Sequence, residues 1–156
     1  GRAQGYLGMC YVNGWGVEKN YELAVQWYRK SAEQGDSDAQ YNLGLYYENG
    51  QGVEENHELA MYWYQKAAEQ GHVWGQNNLG VCYMKGRGVE KNYESAVQWS
   101  RKSAKQSNNV AQWNLGFCYE NGHGVKKNEE LAVRWYRKAA KYGNKNAQRA
   151  LDALEQ

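Results

Sequence analysis

The stretch AQYNLGLYYENGQGVEENHELAMYWYQKAAEQG, residues 39–71, decides the fold. Its first half sets Ala39, Leu43, Tyr46 and Tyr47 at the i, i+4, i+7, i+8 spacing of one helical face. Gly50 follows, and a residue free to adopt positive φ ends a helix at little cost. The second half begins after Asn56, whose side chain can cap free backbone N–H groups, with Glu58 near the positive helix end. Leu59, Ala60, Trp63, Tyr64, Ala67 and Ala68 then make an apolar stripe expected to be buried, and Gly71 closes it. β-Branched residues are scarce and nothing alternates with a strand's period of two. The stretch is a pair of helices.

A shift of 36 residues brings the chain onto itself without insertion or deletion. Leu7, Leu43, Leu79, Leu115 and Leu151 share one register, as do Gly8, Gly44, Gly80 and Gly116, and Trp27, Trp63, Trp99 and Trp135. The loop Gly50-x-Gly52-Val53 recurs at Gly14, Gly86 and Gly122. The period predicts one repeat domain over 1–156, with units 3–38, 39–74, 75–110 and 111–146 and a capping helix at 147–156. Eighteen Gly, seven Trp and fourteen Tyr, with no Pro, fit a size-matching scheme in which glycines admit neighbouring helices and large rings fill the remaining space. One helical pair cannot cover its own apolar face, so units are expected to stack in line. In the last helix Asp152 replaces the close-approach glycine, and Arg149, Glu155 and Gln156 add polarity, the mark of a terminating cap. The first residues, Gly1-Arg2-Ala3-Gln4, enter directly into a repeat without such a cap. That predicts an excised fragment, or self-association through the uncapped N-terminal end.

The pattern Ala-x3-Leu-Gly-x2-Tyr-x2-Gly-x-Gly-Val, then Ala-x2-Trp-Tyr-x2-Ala-Ala-x2-Gly, resembles the Sel1-like repeat, a relative of the tetratricopeptide repeats. The 36-residue length and the Gly-x-Gly-Val loop favour it over the 34-residue tetratricopeptide form. The resemblance implies an all-α, right-handed α-solenoid of helix-turn-helix units and a scaffold or adaptor that binds proteins. The departures Gly75, Ser100 and Ser107 all fall in unit three, which is expected to pack or bend differently.

Little in the sequence points to chemistry. Cys10, Cys82 and Cys118 share a register. Adjacent stacked units would hold them roughly 10 Å apart, beyond the ~7 Å reach of a disulfide. Buried thiols are expected, which suit a reducing compartment such as the cytoplasm. The cysteine-rich bacterial relatives that the resemblance brings to mind pair two cysteines within each unit, and some are discussed as β-lactam-binding proteins. The missing pairs and the lack of a nucleophile motif argue against an enzyme of that kind. His57, His72 and His123 occupy three different registers and read as surface or cap residues, so no metal or cofactor is expected. A formal net charge of +2 argues against nucleic acid, including single-stranded RNA held by groove aromatics. No apolar stretch is long enough to insert in a membrane.

Recognition is expected on the first helix of each unit, at places offset from the core stripe. These are Met9 and Val12 in unit one, and Tyr41, Leu45 and Asn49 in unit two. Trp74, Asn77, Val81 and Met84 follow, then Trp113, Phe117 and Asn121. Asn49 and Asn121 are expected to bond the backbone of an extended peptide whose apolar side chains meet Tyr41, Val81, Trp113 and Phe117. Two readings stand for Leu45, Val81 and Phe117, which either line a groove or pack between first helices. Trp15, Trp74 and Trp113 break the repeat and suit an interface. Trp113→Ala is therefore expected to weaken a partner and spare stability.

Overall fold

The computed structural model describes residues 2–154; Gly1, Glu155 and Gln156 lie outside them. Among the described residues it contains nine helices and no strand. These are α1 Arg2–Asn13, α2 Tyr21–Glu33, α3 Ser37–Asn49, α4 His57–Glu69, α5 Val73–Lys85, α6 Tyr93–Lys105, α7 Asn109–Asn121, α8 Glu129–Lys141 and α9 Lys145–Leu154. They form two compact bodies. The N-terminal body runs to Gly75 and takes in Arg87–Val89; the C-terminal body holds Gln76–Gly86 and the chain from Glu90 onward.

Local chemistry starts and stops the helices as the sequence predicts. The side chain of Asn56 accepts a hydrogen bond from the Leu59 N–H at 2.9 Å, and Asn20, Asn92 and Asn128 cap α2, α6 and α8 in the same way. Gly50 takes φ +60° and donates its N–H to the Tyr46 carbonyl, closing α3. At the corresponding ends of α2, α4 and α8 a left-handed glycine follows one residue after the cap, but after α6 the residue is Ser107, at φ +66°.

In the N-terminal body α3 packs on α4 through Gly44. A Cβ there would lie 2.6 Å from the Tyr64 ring, which is fully buried. The Tyr64 hydroxyl donates to Glu48 Oε2 at 2.6 Å. Leu43, Ala60, Ala67 and Ala68 complete this core. The stripe on α4 is narrower than expected: Leu59 is 39% exposed and Trp63 half-buried. At about 100° per residue Leu59, in the first turn, falls at the edge of the Ala60–Tyr64–Ala67 line. Leu7, in the register of buried Leu43, is also exposed, because α2 packs on α3 while the matching face of α1 is open.

In the C-terminal body Gly116 and Tyr136 repeat the Gly44–Tyr64 contact, and the Tyr136 hydroxyl donates to Glu120. Unit three departs from it, as its substitutions foretell. Ser100 faces Gly80, and Met84 stands where units two and four have the glutamate. Met84 packs on Val97, Leu115 and Cys118, so ring and carboxylate are replaced together. α9 closes the body by setting Ala147 and Leu151 on Ala132, Tyr136 and Ala139. Asp152 is exposed and accepts from Gln148 at 2.9 Å. All three cysteines are thiols, with Cys82 and Cys118 buried and Cys10 half-buried. Burial pushes the Cys118 thiol up to about 11.

The Gly-x-Gly-Val loops make backbone contacts. The second glycine of each later loop rests on the start of the preceding second helix. A Cβ at Gly52 or Gly124 would collide with the backbone of Tyr21 or Tyr93, and one at Gly88 with the carbonyl oxygen of His57. The first copy, Gly16, meets nothing.

Candidate functional site

Most of the expected recognition residues lie on the partly exposed side of the first helices. On α1, Met9 is exposed and Val12 half-buried. Arg2, Tyr6 and Met9 of α1 line a cleft of about 200 Å³ with Asp38 and Asn42 of α3. On α3, Tyr41 and Leu45 are half-buried and Asn49 is exposed. Tyr41 stacks on the His72 ring at 4.8 Å, and burial followed by the Glu48 charge raises its hydroxyl pKa. Trp74, in the first turn of α5, is 46% exposed.

His72 is fixed on both sides. Its Nδ1 accepts the Gly75 N–H at 3.0 Å, capping α5, and its Nε2 lies 3.2 Å from Asp38 Oδ1. The sequence alone allows a surface or a cap role for it. The signal was present, because the same register holds Asp36, Asn108 and Asn144, all cap-forming residues, and each of them caps the helix that follows.

In the C-terminal body Val81 and Met84 on α5 are half-buried. Asn77 departs from expectation: it is 4% exposed, donates to Asn78 and accepts from Asn114 at 3.3 Å. The amide is shorter than the Tyr or Trp found at this register in units two and four, so it stays below the surface and joins α5 to α7. On α7, Trp113 and Phe117 stack at 6.0 Å on consecutive turns. His123 meets Phe117 edge-on at 5.5 Å and stacks on Tyr93 at 4.3 Å. Trp113 also packs against the Ala132–Tyr136–Leu151 cluster, so it serves the core as well as the surface and its removal would not spare stability. Asn49 and Asn121 each donate to a carbonyl of their own helix, Leu45 at 2.8 Å and Phe117 at 2.9 Å. One amide hydrogen and the acceptor oxygen remain on each for another chain.

Sequence reasoning passed over Tyr62. It is 48% exposed on α4, where the register otherwise holds Gln26, Gln98 and Arg134. Among the described residues no group of three His, Cys, Asp or Glu side chains is placed to hold a metal ion, and no helix is long and apolar enough to cross a membrane.

The Sel1 repeat profile matches residues 1–36, 37–72, 75–108 and 109–144. No curated protein matches the chain. Among solved structures, a Sel1 repeat protein from Oxalobacter formigenes is 45% identical with a TM-score of 0.91, over 96% of this chain and 62% of that one. A protective antigen present in uropathogenic Escherichia coli strains is 39% identical with a TM-score of 0.94, over 98% of this chain and 33% of that one. Cysteine rich protein B of Helicobacter pylori is 27% identical with a TM-score of 0.64, over 82% of this chain and 92% of that one. The chain thus spans about three fifths of the first protein and a third of the second. The all-α repeat solenoid expected from the sequence is the fold class of these neighbours. With four matched repeats covering nearly its whole length, the chain belongs to the Sel1 repeat family.

Proposed function

We propose that this chain is a non-catalytic scaffold that binds a peptide or a protein segment on the exposed side of its first helices. Sel1 repeat proteins generally mediate protein–protein interaction, and the scaffold is mostly non-enzymatic. The observation that carries the finer reading is the Trp113–Phe117 stack with Asn121 one turn beyond. Two partly exposed rings and an amide on successive turns offer apolar pockets beside a backbone-bonding group. Val81 and Met84 belong to the same body as the stack, while Met9, Val12, Tyr41, Leu45, Asn49 and Trp74 offer exposed or half-buried places on the first helices of the N-terminal body. Asn77 supports it from beneath. A net charge of +2 favours protein over nucleic acid as the ligand.

Selection from a random peptide library on the immobilised chain tests this. Selected peptides are expected to bind Phe117→Ala and Asn121→Ala about tenfold or more weakly than the wild type. Peptides that bind both variants as well as the wild type would place recognition elsewhere.

A further inference from the structure

A second apolar surface lies outside the first helices. Leu59, Tyr62 and Trp63 stand at i, i+3 and i+4 on α4, so they share one helix face. Tyr62 and Trp63 meet edge to face at 5.1 Å. Exposed apolar side chains scattered singly are ordinary; these three are contiguous. Tyr62 is not demanded by the repeat, since the same register holds Gln26, Gln98 and Arg134 in other units, whereas Leu59 recurs as Leu23 and Leu131 and gives way to Ser95 in unit three.

The charge around the patch is equally particular. Glu58 precedes Tyr62 by one helical turn, Glu69 follows two turns after it, and Glu54 and Glu55 lie in the loop just before the Asn56 cap. Glu69 accepts from Gln65 at 2.9 Å and Glu55 lies 3.2 Å from His57 Nε2. Lys66 places a cation on the same face, its Nζ 5.6 Å from the Tyr62 ring centroid. The second helices of units three and four are instead basic, with Arg101, Lys102 and Lys105, and Arg134, Arg137 and Lys138. An aromatic patch rimmed by carboxylates selects an apolar ligand that carries positive charge.

We infer that the Leu59–Tyr62–Trp63 face of α4 docks a cationic amphipathic segment of a partner protein. The bulky aliphatic side chains of that segment lie on Tyr62 and Leu59, and its lysines or arginines reach Glu55, Glu58 and Glu69. This surface is independent of the one on the first helices.

The test is isothermal titration of the whole chain with a synthetic amphipathic peptide of leucine and lysine, beside a leucine–glutamate peptide of the same spacing. The lysine peptide is expected to bind, and to weaken as salt is raised. Tyr62→Gln should lower its affinity about tenfold or more, and the glutamate peptide should not bind. Glutamine already fills this register at positions 26 and 98, so the variant keeps a residue the repeat accepts. A Glu55→Gln/Glu58→Gln variant leaves the rings in place and should weaken binding at low salt. Absent binding, equal binding of both peptides, or unchanged affinity in either variant would overturn the assignment.

Discussion

At the scale of single residues, two departures from the repeat mark places where the chain is less stable than its own pattern allows. Ser107 holds φ +66° where its counterparts Gly35, Gly71 and Gly143 are glycines. A side chain in that region crowds the following carbonyl at a cost of roughly 1 kcal/mol. Ser107→Gly should raise the thermal midpoint by a few degrees, read by circular dichroism. The second departure ends a series of amide bonds. Gln34 donates to Gln4 at 2.6 Å, Gln70 to Gln40 at 2.7 Å and Gln106 to Gln76 at 2.9 Å. Position 142 is Tyr, and the buried oxygen of Gln112 has no protein partner. Tyr142→Gln should supply the missing donor and add about 1 kcal/mol in a denaturant titration. No gain would mean that the new glutamine does not reach Gln112.

At the scale of elements, the start of α5 is the only one in its register capped by a group that titrates near neutrality. Burial lowers the His72 pKa below its ordinary 6.5, while Asp38 and Asp36 oppose the shift. The folded state therefore prefers the neutral ring, whose Nδ1 lone pair holds the Gly75 N–H. As pH falls below the unfolded value, the unfolded chain binds the proton first and stability drops, until the folded-state pKa is passed. Melting curves between pH 7.5 and about 5 should show this fall, and His72→Asn, which copies Asn108 and Asn144, should flatten it. Equal slopes in the two proteins would remove His72 from the account. Elements were the part best read from sequence. Asparagine caps and closing glycines act on their own neighbours, so Asn56 and Gly50 could be placed without knowing what packs on them. Leu59, Asn77 and Trp113 were harder. Whether Leu59 is covered depends on a few tens of degrees around α4, Asn77 sinks because its partner Asn114 comes from another helix, and Trp113 leans on α8 and α9 together. Tyr62 breaks its register of Gln26, Gln98 and Arg134 just as the unrepeated tryptophans break theirs, so its signal lies in the repeat comparison and not in helix periodicity.

At the scale of the whole molecule, order within each body comes from one helical pair covering the next, α3 on α2 and α7 on α6, and α9 does this for the last pair. Removing residues 145–156 would bare Ala132, Tyr136 and Ala139, at a cost of about 2 kcal/mol or more for the loss of Leu151 alone. A lower melting temperature with concentration-dependent oligomers in gel filtration is expected; an unchanged monomer would show that α9 is ornamental. The loops impose a stricter condition. Gly52, Gly88 and Gly124 each bring bare backbone against the first turn of the preceding second helix. An extra residue would lift that seat away, and a missing one would not reach it. Spacing is thus gauged mechanically from one copy to the next, which accounts for 36-residue copies that drift in composition but never in length.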